Sequence, residues 1–180
     1  MIVALVGLPG SGKSFIASIL HELGFVWLRT DSIRKELAGI ELHKKAPPEV
    51  YSQDWNKRVY DTLIEKAKEF SQKGHNLVLD GSFLKKWQRE KVYKNFKDVI
   101  FIHTTAREET IKERLSKRVG DISDADFEVY LKLKGEFEPP ENAIEIFTEL
   151  EREELKDLLK RVLGLSKDTP IHPQQGFYPD

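Results

Sequence analysis

The stretch from Gly7 to Ser14 reads GLPGSGKS and matches the pattern G-x-x-x-x-G-K-[ST] of a phosphate-binding loop, the P-loop. The β-branched apolar run Ile2–Val6 precedes it, and residues 15–20 after it have the apolar content of a helix that packs on a sheet. Glycines at these positions let successive backbone N–H groups face one anion, and the following helix adds its positive end. The sequence therefore predicts a strand–loop–helix unit at the start of an α/β fold; a glycine-rich turn without a ligand is the alternative.

The loop supplies candidate ligands for a nucleotide and a metal ion. We expect Lys13 to reach the β- and γ-phosphates of ATP and the Ser14 hydroxyl to ligate Mg²⁺. The residues predicted to bind the nucleotide along this loop are Gly7, Pro9, Gly10, Ser11, Gly12, Lys13 and Ser14.

Length and composition limit the classes of protein that remain. A chain of 180 residues is long enough for one domain with a sizeable core, and a net charge of −1 gives no global attraction to nucleic acid or membrane. The chain has no cysteine, which excludes disulfides and thiolate metal sites, and no apolar run of membrane-spanning length. Because Met1 leads directly into the first strand, we expect no targeting peptide and a cytoplasmic protein without membrane partners.

Apolar strand candidates alternate with amphipathic helices along the chain. This alternation predicts a parallel sheet of about five strands with helices on both faces, the P-loop nucleoside triphosphate hydrolase fold, whose ligands bind beyond the carboxyl ends of the strands. We expect one P-loop domain over residues 1–163, with a helical lid over about 106–137, and a tail over 164–180. The later strands are predicted at Phe25–Arg29, Asn76–Asp80, Val99–His103 and Ala143–Phe147.

A carboxylate and a guanidinium follow the second predicted strand, on the same sheet edge as the P-loop. Asp31 should open a short helix that ends at Gly39, and Arg34 lies on the same helix face at i+3. A carboxylate here is placed to accept a proton from an attacking hydroxyl, and the arginine to orient the acceptor of a phosphoryl group. The alternative is that Asp31 only caps the helix and Arg34 is a solvated surface residue.

Asp80 ends an apolar strand, which is the usual place for a carboxylate that holds Mg²⁺ through water. The alternative is a strand-end aspartate that closes the Asp80-Gly81 turn. Four polar residues follow and are candidates for lining an acceptor site, although such residues are more often solvated helix charges: Ser82, Lys85, Lys86 and Arg89.

A charged helix and the segment after it predict a lid over bound nucleotide. Thr105 and Glu108 have capping-box spacing, so a helix should start there and run to about Val119. Arg114 and Arg118 lie at i and i+4 of that helix, where arginines can neutralise charge on a transferring phosphoryl group as the lid excludes water. An ion-paired surface helix is the alternative, because glutamates and lysines alternate in the same segment.

These strings together resemble the small P-loop kinases of the polynucleotide-kinase-like group. The resemblance rests on Gly7–Ser14, Asp31-Ser32-Ile33-Arg34, Leu77–Asp80 and the Arg114/Arg118 pair. It implies that Asp31 is the general base, that Arg34 binds a phosphate of the acceptor, and that the two lid arginines contact the nucleotide phosphates. The chain is also similar to AAA-type ATP-binding kinase-like domains of uncharacterised substrate, over roughly residues 1–150.

Two functions fit this sequence. The first is a phosphotransferase that moves the γ-phosphoryl group of ATP·Mg²⁺ to a hydroxyl, either a polynucleotide 5′-OH or a small molecule. The second is a nucleotide-dependent switch or ATP-binding protein that has no acceptor site. A polynucleotide acceptor requires a positive path for its backbone, and the candidates for that path are Arg29, Arg34, Lys35, Lys44, Lys45, Lys57 and Arg58.

Overall fold

The computed structural model describes residues 1–118 and 123–165; the side chains of residue 118 and residues 123–126 lie outside the description. The strands are β1 (Ile2–Val6), β2 (Val26–Arg29), β3 (Leu77–Asp80), β4 (Val99–Thr105) and β5 (Ile144–Phe147). The helices are α1 (Lys13–Glu22), α2 (Thr30–Ala38), α3 (Gln53–Gln72), α4 (Lys86–Asn95), α5 (Glu108–Arg118), α6 (Ser123–Glu136) and α7 (Arg152–Val162), with a short 3₁₀ turn at Pro48–Tyr51.

The five strands form one sheet in the order β2-β3-β1-β4-β5, and all four neighbouring pairs are parallel. The register aligns the carboxyl ends of the strands, since Arg29 pairs with Asp80 and Val6 with His103. Such an alignment collects the residues after each strand at one edge, where ligands of open α/β sheets bind. The predicted fold class and strand number are therefore confirmed.

Helices cover both faces of the sheet, which explains why the strands are continuous apolar runs rather than alternating patterns. On one face, the inward side chains of α2, α3 and α4 pack against the strands; Leu63 and Phe83 are fully buried there. On the other face, α1 and α7 pack through Ile19 and Leu159. No helix in the part of the chain that the structure describes is long and apolar enough to cross a membrane.

Two predicted helix starts are displaced in the structure. The capping-box prediction at Thr105 is wrong: Thr105 belongs to β4, where it pairs with Phe147 of β5, and α5 begins at Glu108. Helix α2 begins at Thr30, with Arg29 in the capping position, so Asp31 lies inside the first turn and is not the helix cap. The predicted tail lies almost entirely outside the described residues.

Candidate nucleotide and acceptor site

The P-loop connects β1 to α1 and is packed so tightly that two of its glycines are required. Gly12 has φ 102°, and a Cβ atom there would lie 2.6 Å from Thr148 Oγ1. At Gly7 a Cβ atom would overlap the Thr104 hydroxyl and lie 2.5 Å from Ser11 Oγ. Any other residue at Gly12 would therefore meet both an unfavourable backbone conformation and a steric clash.

Lys13 folds back over the loop that precedes it. Its ammonium donates to the carbonyl oxygens of Gly7 at 2.9 Å and Leu8 at 3.1 Å. The Ser11 N–H closes the loop on the Leu8 carbonyl at 3.1 Å. The lysine charge is thus held beside the curved backbone whose N–H groups would surround a phosphate.

Thr148, in the loop after β5, is the main support of the P-loop. It is buried, and its hydroxyl lies 2.6 Å from the Ser11 carbonyl oxygen, to which it donates. The same hydroxyl accepts from Arg114 Nη1 at 3.0 Å, and Arg114 also donates to the Gly10 carbonyl at 3.0 Å and the Thr148 carbonyl at 3.3 Å. Arg114 and Thr148 therefore fix the outer wall of the phosphate loop together.

A second hydroxyl supports the loop from β4. Thr104 is buried, and its Oγ1 lies 2.8 Å from Ser11 Oγ and 3.4 Å from the Val6 carbonyl. Gly7 N–H donates to the Ser82 carbonyl at 3.1 Å, which ties the loop to the turn after β3. The two strands that neighbour β1, namely β3 and β4, therefore both contribute to the shape of the P-loop.

The two predicted metal ligands lie near each other, with an arginine between them. Arg29 Nη2 donates to Ser14 Oγ at 3.3 Å, and Arg29 Nε lies 3.6 Å from Asp80 Oδ2. Trp27 Nε1 donates to the same carboxylate oxygen at 2.9 Å. Burial raises the pKa of the Asp80 carboxyl, and the charges of Arg29 and Lys13 act in the opposite direction. A hydroxyl and a carboxylate are the oxygen ligands that Mg²⁺ prefers, so the donor set fits that ion.

Asp31 and Arg34, the residues predicted for the acceptor side, both lie on α2 directly after β2, but in contrasting environments. Asp31 is exposed, and its charge acts on the pKa of Arg34, Tyr51 and Tyr60. Arg34 is only 6% exposed, so it is not a solvated surface residue. Its Nη1 donates to the Val50 carbonyl at 2.6 Å, and its guanidinium lies 4.5 Å from the Tyr51 ring centroid. Its Nε is buried and has no hydrogen-bond partner within residues 1–118 and 123–165.

Tyr60 lies near Arg34 and Asp31, whose charges act on its pKa. The side chain is only 4% exposed, and burial raises its pKa to about 12. Its hydroxyl accepts from the N–H of Phe83, a buried residue with the left-handed φ of 46°. The turn after β3 is therefore held in a strained conformation by a neutral phenol, and strain of this kind is common near functional sites.

Two of the four polar residues after Asp80, Lys85 and Arg89, make hydrogen bonds to backbone carbonyls. Arg89 is buried and donates to the carbonyls of Phe83 at 2.6 Å and Glu138 at 2.7 Å. Lys85 Nζ donates to the Glu136 carbonyl at 2.7 Å. These side chains fasten the chain that leaves α6 to the start of α4, so the prediction of solvated helix charges is wrong for Arg89.

Six of the seven basic residues considered for a polynucleotide path, all but Lys45, contact other groups in the part of the chain that the structure describes. Arg29 and Arg34 have the partners given above, and Lys35 donates to the Leu42 carbonyl at 2.7 Å. Lys44 Nζ lies 3.5 Å from Glu41 Oε2, Lys57 Nζ lies 2.8 Å from Asp61 Oδ2, and the Arg58 guanidinium lies 4.4 Å from the Trp55 ring centroid. Most of the candidate basic groups are therefore already engaged within the protein.

The predicted lid helices pack on each other and on the P-loop. Ile111, Leu115 and Tyr130 form a small apolar cluster that Leu8 of the P-loop joins. Lys134 Nζ donates to Glu108 at 2.7 Å across the two helices. Arg114 faces the P-loop, whereas the side chain of Arg118 lies outside the described residues.

A comparison with models of known protein families identifies the family of this chain. A family model described as an AAA domain matches residues 2–140. The chain belongs to this AAA domain family. No curated protein sequence matches it closely enough to count as a relative.

Three of the solved structures similar to this AAA domain are kinases. A sugar kinase from Janibacter sp. HTCC2649 is 23% identical with a TM-score of 0.67, and the match covers 95% of this chain and 98% of that one. The APS kinase of Mycobacterium tuberculosis is 18% identical with a TM-score of 0.66, covering 91% and 96%. The shikimate kinase of Acinetobacter baumannii is 18% identical with a TM-score of 0.57, covering 93% and 95%. At these identities the likeness establishes the fold.

Sequence reasoning on this AAA domain missed the residues that support the loop from outside. Thr104 and Thr148 each follow a predicted apolar strand, and their polar character at a sheet edge was the available signal. Arg29 was a candidate only for binding nucleic acid, and Trp27 was not among the candidate site residues. Neither role could be assigned before the register placed Arg29 opposite Asp80.

Proposed function

We propose that this protein is a phosphotransferase that moves the γ-phosphoryl group of ATP·Mg²⁺ to the hydroxyl of a small molecule. The observation that carries the proposal is the placement of an exposed carboxylate, Asp31, at the sheet edge that also holds the P-loop. Arg29, two residues before Asp31, contacts Ser14 of the P-loop. A general base and a phosphate cradle thus belong to one site, which a phosphoryl transfer to an alcohol requires.

In the proposed reaction the hydroxyl oxygen of the acceptor forms a bond to the γ-phosphorus as the bond from that phosphorus to the β–γ bridging oxygen breaks. Asp31 takes the hydroxyl proton, and ADP leaves with the electron pair of the broken bond. The P-loop N–H groups and Lys13 bind the phosphates, and Arg114 and Arg118 neutralise charge on the transferring group. Ser14 and Asp80 would hold Mg²⁺, which when bound would offset negative charge on the phosphates.

Arg34 and Tyr51 are proposed to shape the acceptor side. Arg34 donates a hydrogen bond to the Val50 carbonyl of the 3₁₀ turn, and its guanidinium makes a cation–π contact with the Tyr51 ring. Tyr51 remains 51% exposed, which leaves ring surface available to a substrate next to Asp31. The resemblance to the polynucleotide-kinase-like group makes a 5′-hydroxyl the second acceptor to test, but the engagement of most candidate basic residues with other groups of the protein favours a small molecule.

The test is a panel of acceptors with wild-type protein and an Asp31→Asn variant. The panel contains sugars, polyols, nucleosides and 5′-OH oligonucleotides, and ADP formation and the phosphorylated product are both measured. Asp31→Asn keeps the shape of the side chain but accepts a proton poorly, so kcat should fall by about 10²- to 10⁴-fold. Nucleotide affinity should be unchanged.

The matched control is Asp54→Asn, which alters another exposed acidic residue in the first turn of a helix, α3. It should leave turnover at the wild-type rate. Acceptor-independent hydrolysis in the wild type, unaffected by Asp31→Asn, would contradict a kinase and favour the nucleotide-dependent switch.

A further inference from the structure

Arg29 holds a position that a divalent cation would be expected to take. Its guanidinium contacts Ser14 Oγ at 3.3 Å and lies 3.6 Å from Asp80 Oδ2, and these are the two side chains assigned to Mg²⁺. Strand β2 delivers the residue there because the parallel register places Arg29 directly opposite Asp80. One positive side chain thus bridges both groups that a metal ion would need.

The surroundings keep Arg29 in this bridging position. The guanidinium lies 5.0 Å from the ring centroid of Trp27, and the Trp27 indole N–H donates to the same Asp80 oxygen. Asp80 is buried, so the positive charge beside it offsets part of the free energy that burial of a carboxylate costs. Arg29 itself is 19% exposed, which leaves it a route toward solvent.

A magnesium ion and the Arg29 guanidinium would compete for the same oxygen atoms. Mg²⁺ binds oxygen ligands either directly or through the waters of its octahedral shell. Ser14 Oγ accepts from Arg29 Nη2, Asp80 Oδ2 lies 3.6 Å from Arg29 Nε, and the two cations repel each other. Binding of the ion at Ser14, and at Asp80 directly or through water, would therefore displace the guanidinium from these contacts.

We propose that Arg29 is a built-in cation that occupies the metal position in the nucleotide-free protein and is displaced when Mg²⁺ arrives with the nucleotide. Arg29 then sets the Mg²⁺ concentration that the protein needs, because each binding event must first break its contacts with Ser14 and Asp80. This inference rests on the metal-binding part of the proposed function. It concerns nucleotide binding alone and requires no acceptor.

The experiment measures the affinity of a non-hydrolysable ATP analogue by calorimetry over a series of MgCl₂ concentrations, and again in EDTA. Arg29→Met removes the charge but keeps an unbranched apolar stem. Because a partly exposed ion pair is modest in strength, the half-saturating Mg²⁺ concentration should fall by about three- to tenfold. Affinity in EDTA should change little.

Arg58→Met is the matched control, because Arg58 is also an arginine stacked on a tryptophan but lies on α3. It should reproduce the wild-type Mg²⁺ dependence. Arg29→Lys provides a second variant if Arg29→Met does not fold. A lysine ammonium lacks the planar fork that reaches two groups, so its half-saturating Mg²⁺ concentration should lie between those of wild type and Arg29→Met.

Two results would overturn the inference. If Arg29→Met weakens analogue binding equally in MgCl₂ and in EDTA, Arg29 is a phosphate ligand and does not compete with the ion. If the Mg²⁺ dependence is unchanged, the guanidinium does not occupy the metal position. A wild-type protein that fails to bind the analogue at all would instead count against the proposed function, so the two failures are distinguishable.

Discussion

The two ends of the site differ in how completely their polar groups are paired. At the phosphate end, the carbonyls of Gly10 and Ser11 each have a partner, supplied by Arg114 and Thr148. At the acceptor end, the buried Nε of Arg34 has no partner among the described residues. These two carbonyls of the phosphate end are paired within the protein, whereas the other end contains a buried donor that has no partner in the described part of the chain, which costs free energy.

This difference indicates which parts of the proposed site are preorganised before a substrate binds. A phosphate group is the same in every nucleotide, so a rigid cradle can be built for it and stabilise charge without reorganisation. The acceptor side leaves Asp31 and the Tyr51 ring open to solvent around a buried guanidinium. The proposed substrate would complete that side when it binds.

Removal of the P-loop lysine should produce the largest effect. Lys13→Ala deletes the charge proposed to meet the β- and γ-phosphates and also the two hydrogen bonds to Gly7 and Leu8. We expect turnover to fall by about 10³-fold or more, with a melting temperature close to that of the wild type. Steady-state kinetics and thermal unfolding check this, with the exposed Lys57→Ala as control. Retained turnover would remove the P-loop from the mechanism.

Loss of one supporting hydroxyl should have an intermediate effect. Thr148→Val keeps the shape packed against Gly12 but leaves the Ser11 carbonyl and Arg114 without their shared partner. An unpaired buried group costs about 1–3 kcal/mol, so kcat/KM for ATP should fall by about tenfold to a hundredfold. Thr148→Ser restores the hydroxyl and should recover most of the loss.

The KM of the acceptor should remain unaltered in Thr148→Val, because the change acts only at the phosphate end. Equal losses in Thr148→Val and Thr148→Ser would show instead that packing, rather than the hydroxyl, supports the loop.

The smallest effect should come from the acceptor end. Tyr51→Ala removes an exposed ring that rests on Arg34, and an aromatic contact is worth about 0.5–1.5 kcal/mol. The KM of the acceptor should rise by about two- to tenfold while the KM of ATP stays constant. Tyr93→Ala is the control, since Tyr93 is similarly exposed but contacts Phe101. A rise in the KM of ATP with no change for the acceptor would place Tyr51 outside the acceptor site.

The sheet was predictable from sequence because its strands are short, continuous apolar runs separated by helical patterns. Leu77–Asp80 and Ile144–Phe147 fall within the predicted strands for this reason. Helix starts were less predictable, since Thr105 carries a capping signal that pairing with β5 overrides. Tertiary pairing outweighs local propensity at such positions.

The site was predictable where chemistry is encoded in consecutive residues and unpredictable where it depends on register. The P-loop and the Asp31/Arg34 pair are local patterns. The Arg29–Asp80 and Ser11–Thr148 contacts join residues 51 and 137 positions apart, which no spacing rule connects. The burial of Arg34 could not be predicted from the sequence either, because it depends on where the 3₁₀ turn packs.

The apolar cluster between α5 and α6, the two predicted lid helices, gives the molecule regions of unequal stability. Ile111, Leu115 and Tyr130 form a far smaller core than the one on either face of the sheet, so separation of α5 and α6 should cost less free energy than opening of either sheet face. Leu8 belongs to that cluster as well as to the phosphate loop. Amide hydrogen exchange in the lid helices and in the loop should therefore slow together when a nucleotide orders either of them.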